Sequence, residues 1–231
     1  MVFEVGNCII ADDWKEVYDF FGMSATCPKD VKDFIKEANG EPIEVKIGTC
    51  YGGDVYSASE IYTDLKDYEG GVKIKITGLA ASAASHIAMA GECEMSPTAQ
   101  IMVHNVSTFA DGDYHEMDKA SNQLKQTNKS LASAYSLKSG MSEEEALKMM
   151  DEESWITADE ALEKGLIDKV MFKEDLKMVA SIGSPLLPQS VIDKVKNEII
   201  NKKEPDEPDA EQIEKEEIAH AKAKLALTAL L

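Results

Sequence analysis

A serine within a run of small residues is the first candidate for chemistry in this sequence. Ser82 lies in residues 78–91, which follow an alternating strand-like run at 72–77 and are predicted to form a tightly packed helix. Backbone N–H groups are unpaired at a helix start, and the helix dipole favours negative charge there. That position suits a nucleophile whose transition state is an oxyanion. A satisfied N-cap on a core helix explains the same pattern, and this stretch alone favours the N-cap.

Two further stretches add the other parts that a serine nucleophile requires. Residues 43–55 predict a strand that ends at Gly52-Gly53, before a helical pattern that begins at about Asp54. Two glycines at such a junction permit positive φ and a close approach of a ligand to the backbone, although an ordinary turn also uses them. Residues 100–105 predict a short strand that ends in His104. In chain order these stretches supply an oxyanion loop, a serine at a helix start and a histidine.

Together with a fourth stretch near the end of the predicted domain, these residues resemble the proteolytic subunit of the Clp protease, ClpP. The motifs are Gly52-Gly53, Gly78-x-Ala80-Ala81-Ser82, Met102-Val103-His104, Trp155-Ile156-Thr157-Ala158-x-Glu160-Ala161 and Gly165-Leu166-Ile167-Asp168. The resemblance covers roughly residues 15–172. The Gly-Gly-Asp-Val and Ala-Ser-Ala-Ala-Ser forms are more similar to the ClpP-like capsid maturation proteases of tailed phages and prophages. Each motif alone is weak evidence, whereas four in this order and at this spacing are strong.

The resemblance implies a serine endopeptidase with Ser82 as nucleophile and His104 as general base. A serine hydroxyl is a poor nucleophile at neutral pH and needs a base within hydrogen-bond reach, which in turn needs an orienting group. The oxyanion hole would be formed by the backbone N–H groups of Gly53 and Ala83. One such donor contributes about a hundredfold or more to the rate.

The third member of the triad is an acid whose position the resemblance gives less firmly. The family has an aspartate two residues before the aromatic residue of the fourth motif, and Glu153 occupies that position here. Asp151 is the alternative if the loop is shifted. Glu152 is a third candidate and is expected to be solvated. A charged helix end is the competing interpretation of all three.

Several neighbours compete for these roles or change the expected site. Ser85 and His86 lie one helical turn after Ser82, where they would share its face. The family has an apolar residue at the position of His86, and the sequence offers no explanation for the histidine. Cys50 lies beside the glycine pair and is expected to be a small buried residue and not a nucleophile. The residues expected to contact substrate are Tyr51, where cellular ClpP usually has proline, and Gly52.

Composition excludes several other classes of function. The formal net charge of −19, from 43 acidic and 24 basic residues, repels nucleic-acid phosphates. The four cysteines are scattered without a Cys-x-x-Cys pair, so we expect free thiols and no metal site. No apolar run is long enough to span a bilayer, and the N-terminus does not resemble a signal peptide. We therefore expect a cytoplasmic protein without cofactor, nucleic-acid partner or membrane anchor.

Strands that alternate with helices predict an α/β fold with a mostly parallel sheet. The resemblance specifies a ClpP/crotonase-like fold of repeated ββα units with a protruding handle helix. Residues 114–139 predict that helix, with Met117, Leu124 and Leu131 forming a narrow apolar stripe. In the family the handle joins two rings of subunits, which implies a homo-oligomer. The aromatic residues between Trp14 and Phe21 are expected to pack in the core.

The chain is predicted to divide into a protease domain, residues 1–173, and a C-terminal tail, residues 174–231. Residues 202–217 are rich in proline and acids and favour a solvated linker, while residues 218–231 are rich in alanine and leucine and favour a helix. The expected role is cleavage of scaffold or capsid protein during phage head maturation. The alternatives are a housekeeping ClpP that works with an AAA+ unfoldase, a crotonase-fold acyl-CoA enzyme, and an inactive ring-forming homologue.

Overall fold

A computed structural model describes residues 1–173, which lie within one compact unit, Met1–Asp175. The expectations for the tail, including its linker and terminal helix, fall outside these residues, and the domain boundary stays a prediction. Within the described range, no helix is long and apolar enough to cross a membrane.

Strands and helices alternate along most of the chain, as the sequence predicts. The strands are β1 (Val2–Val5), β2 (Cys8–Ile9), β3 (Ala25–Thr26), β4 (Ile43–Cys50), β5 (Val72–Ala81), β6 (Glu92–Met95), β7 (Gln100–Val103), β8 (Ser154–Thr157) and β9 (Lys169–Val170). The α-helices are α1 (Lys15–Phe20), α2 (Pro28–Ala38), α3 (Val55–Asp67), α4 (Ala83–Ala88), α5 (Tyr114–Ser139), α6 (Glu143–Asp151) and α7 (Ala158–Glu163). A single 3-10 turn, Asp12–Trp14, precedes α1.

The main sheet has seven strands and is parallel except for the pair formed by β7 and β8. Its path runs β1-β4-β5-β6-β9. The long strand β5 pairs with β6 along its first half and with β7 along its second half. This arrangement confirms the predicted α/β fold with a mostly parallel sheet, and it brings the ends of β4, β5 and β7 to one edge.

The core lies between this sheet and the helices that cover it. Alternate residues of β4 and β5 are buried, and Ile47, Ile74 and Ile76 have no exposed side-chain surface. Helix α3 contributes Ile61 and Leu65, each 1% exposed. Burial of apolar side chains of this size contributes about 1.5–3 kcal/mol each relative to exposure, so the core fixes the strands that carry the site.

The sequence predicts a helix for residues 78–91, and the first part of this prediction is wrong. Strand β5 continues through Gly78 to Ala81, and helix α4 extends only from Ala83 to Ala88. The strand persists because Leu79, Ala80 and Ala81 pair with β7, a tertiary contact that the local small-residue pattern does not reveal. Ser82 is therefore at a sharp strand-to-helix junction.

The expectation that the aromatic residues near the N-terminus pack in the core is also wrong. Phe20 is 83% exposed, Phe21 is 69% exposed and Trp14 is 54% exposed in the single subunit. Tyr18 alone packs, against a small cluster of Ile10, Ala25 and Cys27. Helix α1 has only six residues, too few to turn all of these rings toward the sheet.

Helix α5 has the predicted bounds and is packed unevenly along its length. Its last third buries Ala132, Ala134 and Tyr135 against the core, whereas Tyr114 near its start is 69% exposed. The exposure of the apolar stripe decreases along the helix in the same way: Met117 near its start is 38% exposed, and Leu131 near its end packs against the core. The first part of the helix thus protrudes from the compact subunit.

Candidate active site

The backbone of Ser82 adopts a conformation that non-glycine residues rarely occupy. Its φ is 54° and its ψ is −122°, and the Ser82 N–H donates to the Met102 carbonyl at 2.8 Å. Such a conformation costs about 1–3 kcal/mol and persists only where the surroundings fix it. Ser82 makes no side-chain capping bond, so the expectation of a satisfied N-cap is wrong. The hydroxyl lies against His104 instead.

His104 faces this hydroxyl directly. The distance between His104 Nε2 and Ser82 Oγ is 2.8 Å, within hydrogen-bond range. The pairing of β5 with β7 produces this contact, since Ala81 lies opposite Met102 and each strand then ends at its functional residue. A base at this distance can take the proton of the hydroxyl as the oxygen attacks a carbonyl carbon.

The glycine pair packs against the serine so closely that side chains would not fit. A Cβ on Gly52 would lie 2.6 Å from the Cβ of Ser82, and a Cβ on Gly53 would lie 2.1 Å from the Ile9 carbonyl oxygen. Both glycines also have positive φ, 93° and 143°. Both observations explain the use of glycine: the loop must approach Ser82 and must turn sharply there.

The backbone N–H groups of Gly53 and Ala83 are the candidates for an oxyanion hole. Within residues 1–173, neither the Gly53 N–H nor the Ala83 N–H has a hydrogen-bond partner. The flanking groups of the glycine loop are occupied, because the Gly52 carbonyl accepts from Ile9 N–H and Asp54 N–H donates to the Ile9 carbonyl. Fixed donors of this kind stabilise developing negative charge without reorganisation.

Glu153 and Asp151, the two candidates for the acid, have different surroundings. The antiparallel pairing of β7 with β8 ends at Val103 and Ser154, and Glu153 lies directly before the paired strand, in the turn that follows helix α6. The Glu153 side chain is exposed, and its backbone is left-handed with φ 51°. The Asp151 carboxylate accepts a hydrogen bond from the Asn105 side chain at 2.7 Å. Among the described residues, no carboxylate is hydrogen-bonded to the His104 ring.

An asparagine pair that the sequence analysis did not single out connects these parts. Asn105 accepts from the Asn128 side chain at 2.8 Å, and Asn128 accepts from the Val106 N–H at 2.9 Å. Helix α5 is therefore tied to the loop after His104 and, through Asn105, to Asp151. Because Asn105 directly follows His104, the sequence could have identified it as a candidate site residue. Asn128 lies in the middle of helix α5, and nothing in the sequence distinguishes it.

The competing serine and cysteine are engaged elsewhere. Ser85 is fully buried, donates to the Ser82 carbonyl at 2.6 Å and lies 2.8 Å from the Tyr135 hydroxyl. Cys50 is fully buried, and burial raises the pKa of its thiol to about 11. Neither residue is therefore placed to act as the nucleophile.

All four cysteines are free, as expected. Glu152 is exposed, with Lys148 at 3.8 Å.

One hollow includes the serine–histidine pair, and a second lies near it. The smaller hollow is lined by Ser82, His104, His86 and Tyr135 together with apolar neighbours. Its volume of about 10 Å³ holds one water-sized group. The larger, of about 250 Å³, runs from Gly53 and Tyr56 to Leu124 on helix α5. Tyr51 is 66% exposed at the entrance to the glycine loop, and Gly52 lies against Ser82.

The hydroxyl of Ser82, the imidazole of His104 and the two unpaired N–H groups are the kinds of group that acyl-transfer chemistry uses. Within residues 1–173, no group of three or more His, Cys, Asp or Glu side chains is placed to hold a metal ion.

A comparison with protein-family models agrees with this arrangement. The model described as Clp protease matches residues 34–174, more than half of the chain. The match includes the glycine loop, the serine turn, the histidine strand and the acid-bearing segment. The chain belongs to the Clp protease family and has the fold of a ClpP-like peptidase.

Proposed function

We propose that this protein is a serine endopeptidase in which Ser82 attacks the scissile carbonyl and His104 accepts its proton. The observation that carries the proposal is the 2.8 Å contact between Ser82 Oγ and His104 Nε2, beside the unpaired N–H groups of Gly53 and Ala83. Attack forms a tetrahedral oxyanion that these two groups stabilise. His104 then donates its proton to the leaving amine, and water hydrolyses the acyl-enzyme.

We assign Glu153 as the residue that orients His104, with Asp151 as the alternative. The position of Glu153, directly before the strand that pairs with the one leading to His104, supports this choice, and so does its left-handed backbone, because such conformations are enriched at functional sites. The hydrogen bond from Asn105 to Asp151 supports a different role for Asp151, that of holding the loop after His104. Tyr51 and Gly52 contact the substrate chain beside the site.

The physiological substrates are scaffold or capsid proteins, cleaved during phage head maturation. The Gly-Gly-Asp-Val and Ala-Ser-Ala-Ala-Ser motifs support this role, since they resemble capsid maturation proteases more than cellular ClpP. The protein forms rings through helix α5, acts in the host cytoplasm or inside the procapsid, and requires no cofactor. The acidic tail argues against the alternative of a housekeeping subunit that depends on an AAA+ unfoldase.

The acyl-CoA alternative from the related crotonase-like fold is less consistent with the site. That chemistry needs an oxyanion hole but does not need a serine and a histidine together. The direct contact between Ser82 and His104 therefore favours peptide hydrolysis.

The experiment is to incubate the purified protein with the scaffold and capsid proteins encoded beside it, without ATP. We expect a few discrete fragments with the wild type and none with the Ser82→Ala or His104→Ala variants. A requirement for ATP and an unfoldase would support the housekeeping alternative instead. Cleavage that survives in Ser82→Ala would contradict the proposed mechanism.

A further inference from the structure

His86 is a buried imidazole whose polar atoms have no partner. Its side chain is 4% exposed, and within residues 1–173 neither ring nitrogen is hydrogen-bonded; Nδ1 is also fully shielded from solvent. A neutral imidazole has one donor and one acceptor nitrogen. An unpaired buried polar group destabilises a fold, so a site that keeps one usually meets a partner during function.

Aromatic neighbours fix the orientation of this ring. The Tyr62 ring lies against it with centroids 4.9 Å apart and planes inclined by 34°, and the Tyr135 ring meets it edge-on at 6.4 Å. The Tyr135 hydroxyl is already engaged with Ser85. His86 therefore has little freedom to rotate toward another protein group, and its hydrogen-bonding capacity remains available to a ligand.

The small cavity that His86 lines also reaches the nucleophile. Ser82, His104 and His86 share it, with Leu131 and Val106 among its apolar walls. During attack, the carbonyl carbon lies about 3 Å from the serine oxygen. The side chain of the same substrate residue begins one atom away, which puts it within reach of this cavity. Neither Ser82 nor His104 lines the larger hollow, which is therefore farther from the reacting atoms.

We infer that His86 is a specificity-determining residue that hydrogen-bonds a small, uncharged polar side chain on the acyl side of the scissile bond. This inference rests on the proposed peptidase function and adds the substrate class. Cavity size excludes large residues, since about 10 Å³ accommodates one water-sized group. Burial lowers the pKa of His86 to about 4, so the ring is neutral and offers no charge to an acidic side chain. Serine and threonine satisfy these conditions.

The test uses peptidyl diphenyl phosphonates, which modify an active serine and carry a chosen side chain at the reacting position. Threonine and valine are compared because they have nearly the same shape and differ in the hydroxyl. Rates are measured on the full-length protein by intact mass and divided by the rate with a simple fluorophosphonate, which has no such side chain. We expect the wild type to react about tenfold faster with the threonine compound.

Substitutions at His86 then assign the preference to the imidazole. His86→Phe keeps a ring and removes the polar atoms, so the threonine preference should disappear. If His86→Phe does not fold, His86→Leu replaces it in the test. His86→Gln retains a donor and an acceptor and should retain part of the preference. Tyr62→Phe is the matched control, because it keeps the aromatic contact with His86 and should keep the preference.

The outcomes separate this inference from the proposed function. Equal rates with the two compounds in the wild type would overturn the inference, as would a preference that persists in His86→Phe or His86→Leu. Reaction with the fluorophosphonate alone would show that the cavity does not receive the side chain, which also overturns it. Absence of reaction with every compound would contradict the peptidase function itself.

Discussion

At the scale of single residues, two of the candidate site residues have positive φ although they are not glycine. Ser82, at φ 54°, joins strand β5 to helix α4, and Glu153, at φ 51°, follows helix α6 where glycine is the common residue. Such sparsely populated backbone conformations cost an ordinary residue about 1–3 kcal/mol. Both side chains are therefore kept at positions where the backbone alone would favour glycine.

Glu153 provides a test in which catalysis and stability respond differently. Glu153→Gln removes the charge and should reduce kcat/KM by about a hundredfold or more, because the histidine loses its orienting carboxylate. Glu153→Gly should be as inactive. Its free energy of unfolding, measured by urea titration, should be unchanged or higher by up to about 1 kcal/mol, since glycine accepts positive φ without strain.

Asp151→Asn is the comparison for Glu153, because it removes the other candidate carboxylate and leaves a side chain of the same shape. It should reduce activity only mildly. A strong loss in Asp151→Asn together with a mild loss in Glu153→Gln would reassign the orienting role to Asp151.

His86 makes the stability of the fold depend on pH. Its folded pKa is lowered from 6.5 to about 4 by burial, so between these values the unfolded chain binds a proton that the folded protein does not. Stability is then fully present above pH 6.5 and falls as the pH approaches 4, by about 3 kcal/mol in total. The two aromatic neighbours stay neutral there; burial raises the pKa of Tyr62, and that of Tyr135 to about 12.

The measurement is the free energy of unfolding of wild type and His86→Phe at several pH values. The difference between them should shift in favour of His86→Phe as the pH falls from 6.5 to 4, and then level off. Other titrating groups contribute equally to both proteins and cancel. Parallel pH profiles across this range would mean that the imidazole is not shielded as the structure indicates.

At the scale of elements, the sequence predicts best where a local pattern and the tertiary environment agree. Helix α2 spans Pro28–Ala38, where its capping box and the spacing of its apolar residues agree with its packing on the core. Helix α5 also has the predicted bounds, with an aspartate N-cap and a glycine at its end. The alternation of strands and helices was predictable for the same reason, since local patterns and tertiary packing agree along most of the chain.

The sequence predicts poorly where distant contacts decide the structure. Strand β5 extends to Ala81 because β7 pairs with it, although small residues there favour a helix. The order of the motifs predicts the proximity of Ser82, His104 and the glycine loop, since these residues follow parallel strands. It does not predict the strained Ser82 backbone, the Asn105–Asn128 pair or the orphaned His86 ring, which depend on packing.

The protruding part of helix α5 is the element that we expect to mediate assembly. Met117→Glu with Leu124→Glu introduces two charges on the apolar stripe outside the packed end of the helix. Because charge at an apolar contact must be desolvated, the variant should form smaller assemblies and cleave substrate more slowly. Leu131 is left unchanged, since it packs against the core and lines the small cavity.

The matched control is Asn122→Glu with Gln126→Glu, which adds the same charge to the opposite, exposed face of the helix. Sedimentation velocity at micromolar concentration gives the size of each assembly. We expect the control to match the wild type. A monomeric wild type, or equal sizes for all three proteins, would contradict assembly through this helix.

At the scale of the whole molecule, we expect the peptidase to trim its own C-terminal tail. Pro205 and Pro208 lie among acidic residues, a composition with too little apolar surface to offset the ordering of the chain. A segment of this composition, attached to a protease, is a natural first substrate. Intact mass spectrometry of the wild type after prolonged incubation should show a C-terminal loss that is absent in Ser82→Ala. Identical full-length masses would remove this claim.

The central claim is that Ser82, activated by His104, is the nucleophile of a peptidase of the Clp protease family. The most direct measurement is intact mass after reaction with a serine-directed fluorophosphonate, followed by peptide mapping. We predict one adduct per chain, located on Ser82, which is absent in Ser82→Ala and retained in Ser85→Ala. No adduct on the wild type, or an adduct that persists in Ser82→Ala and disappears in Ser85→Ala, would contradict the claim.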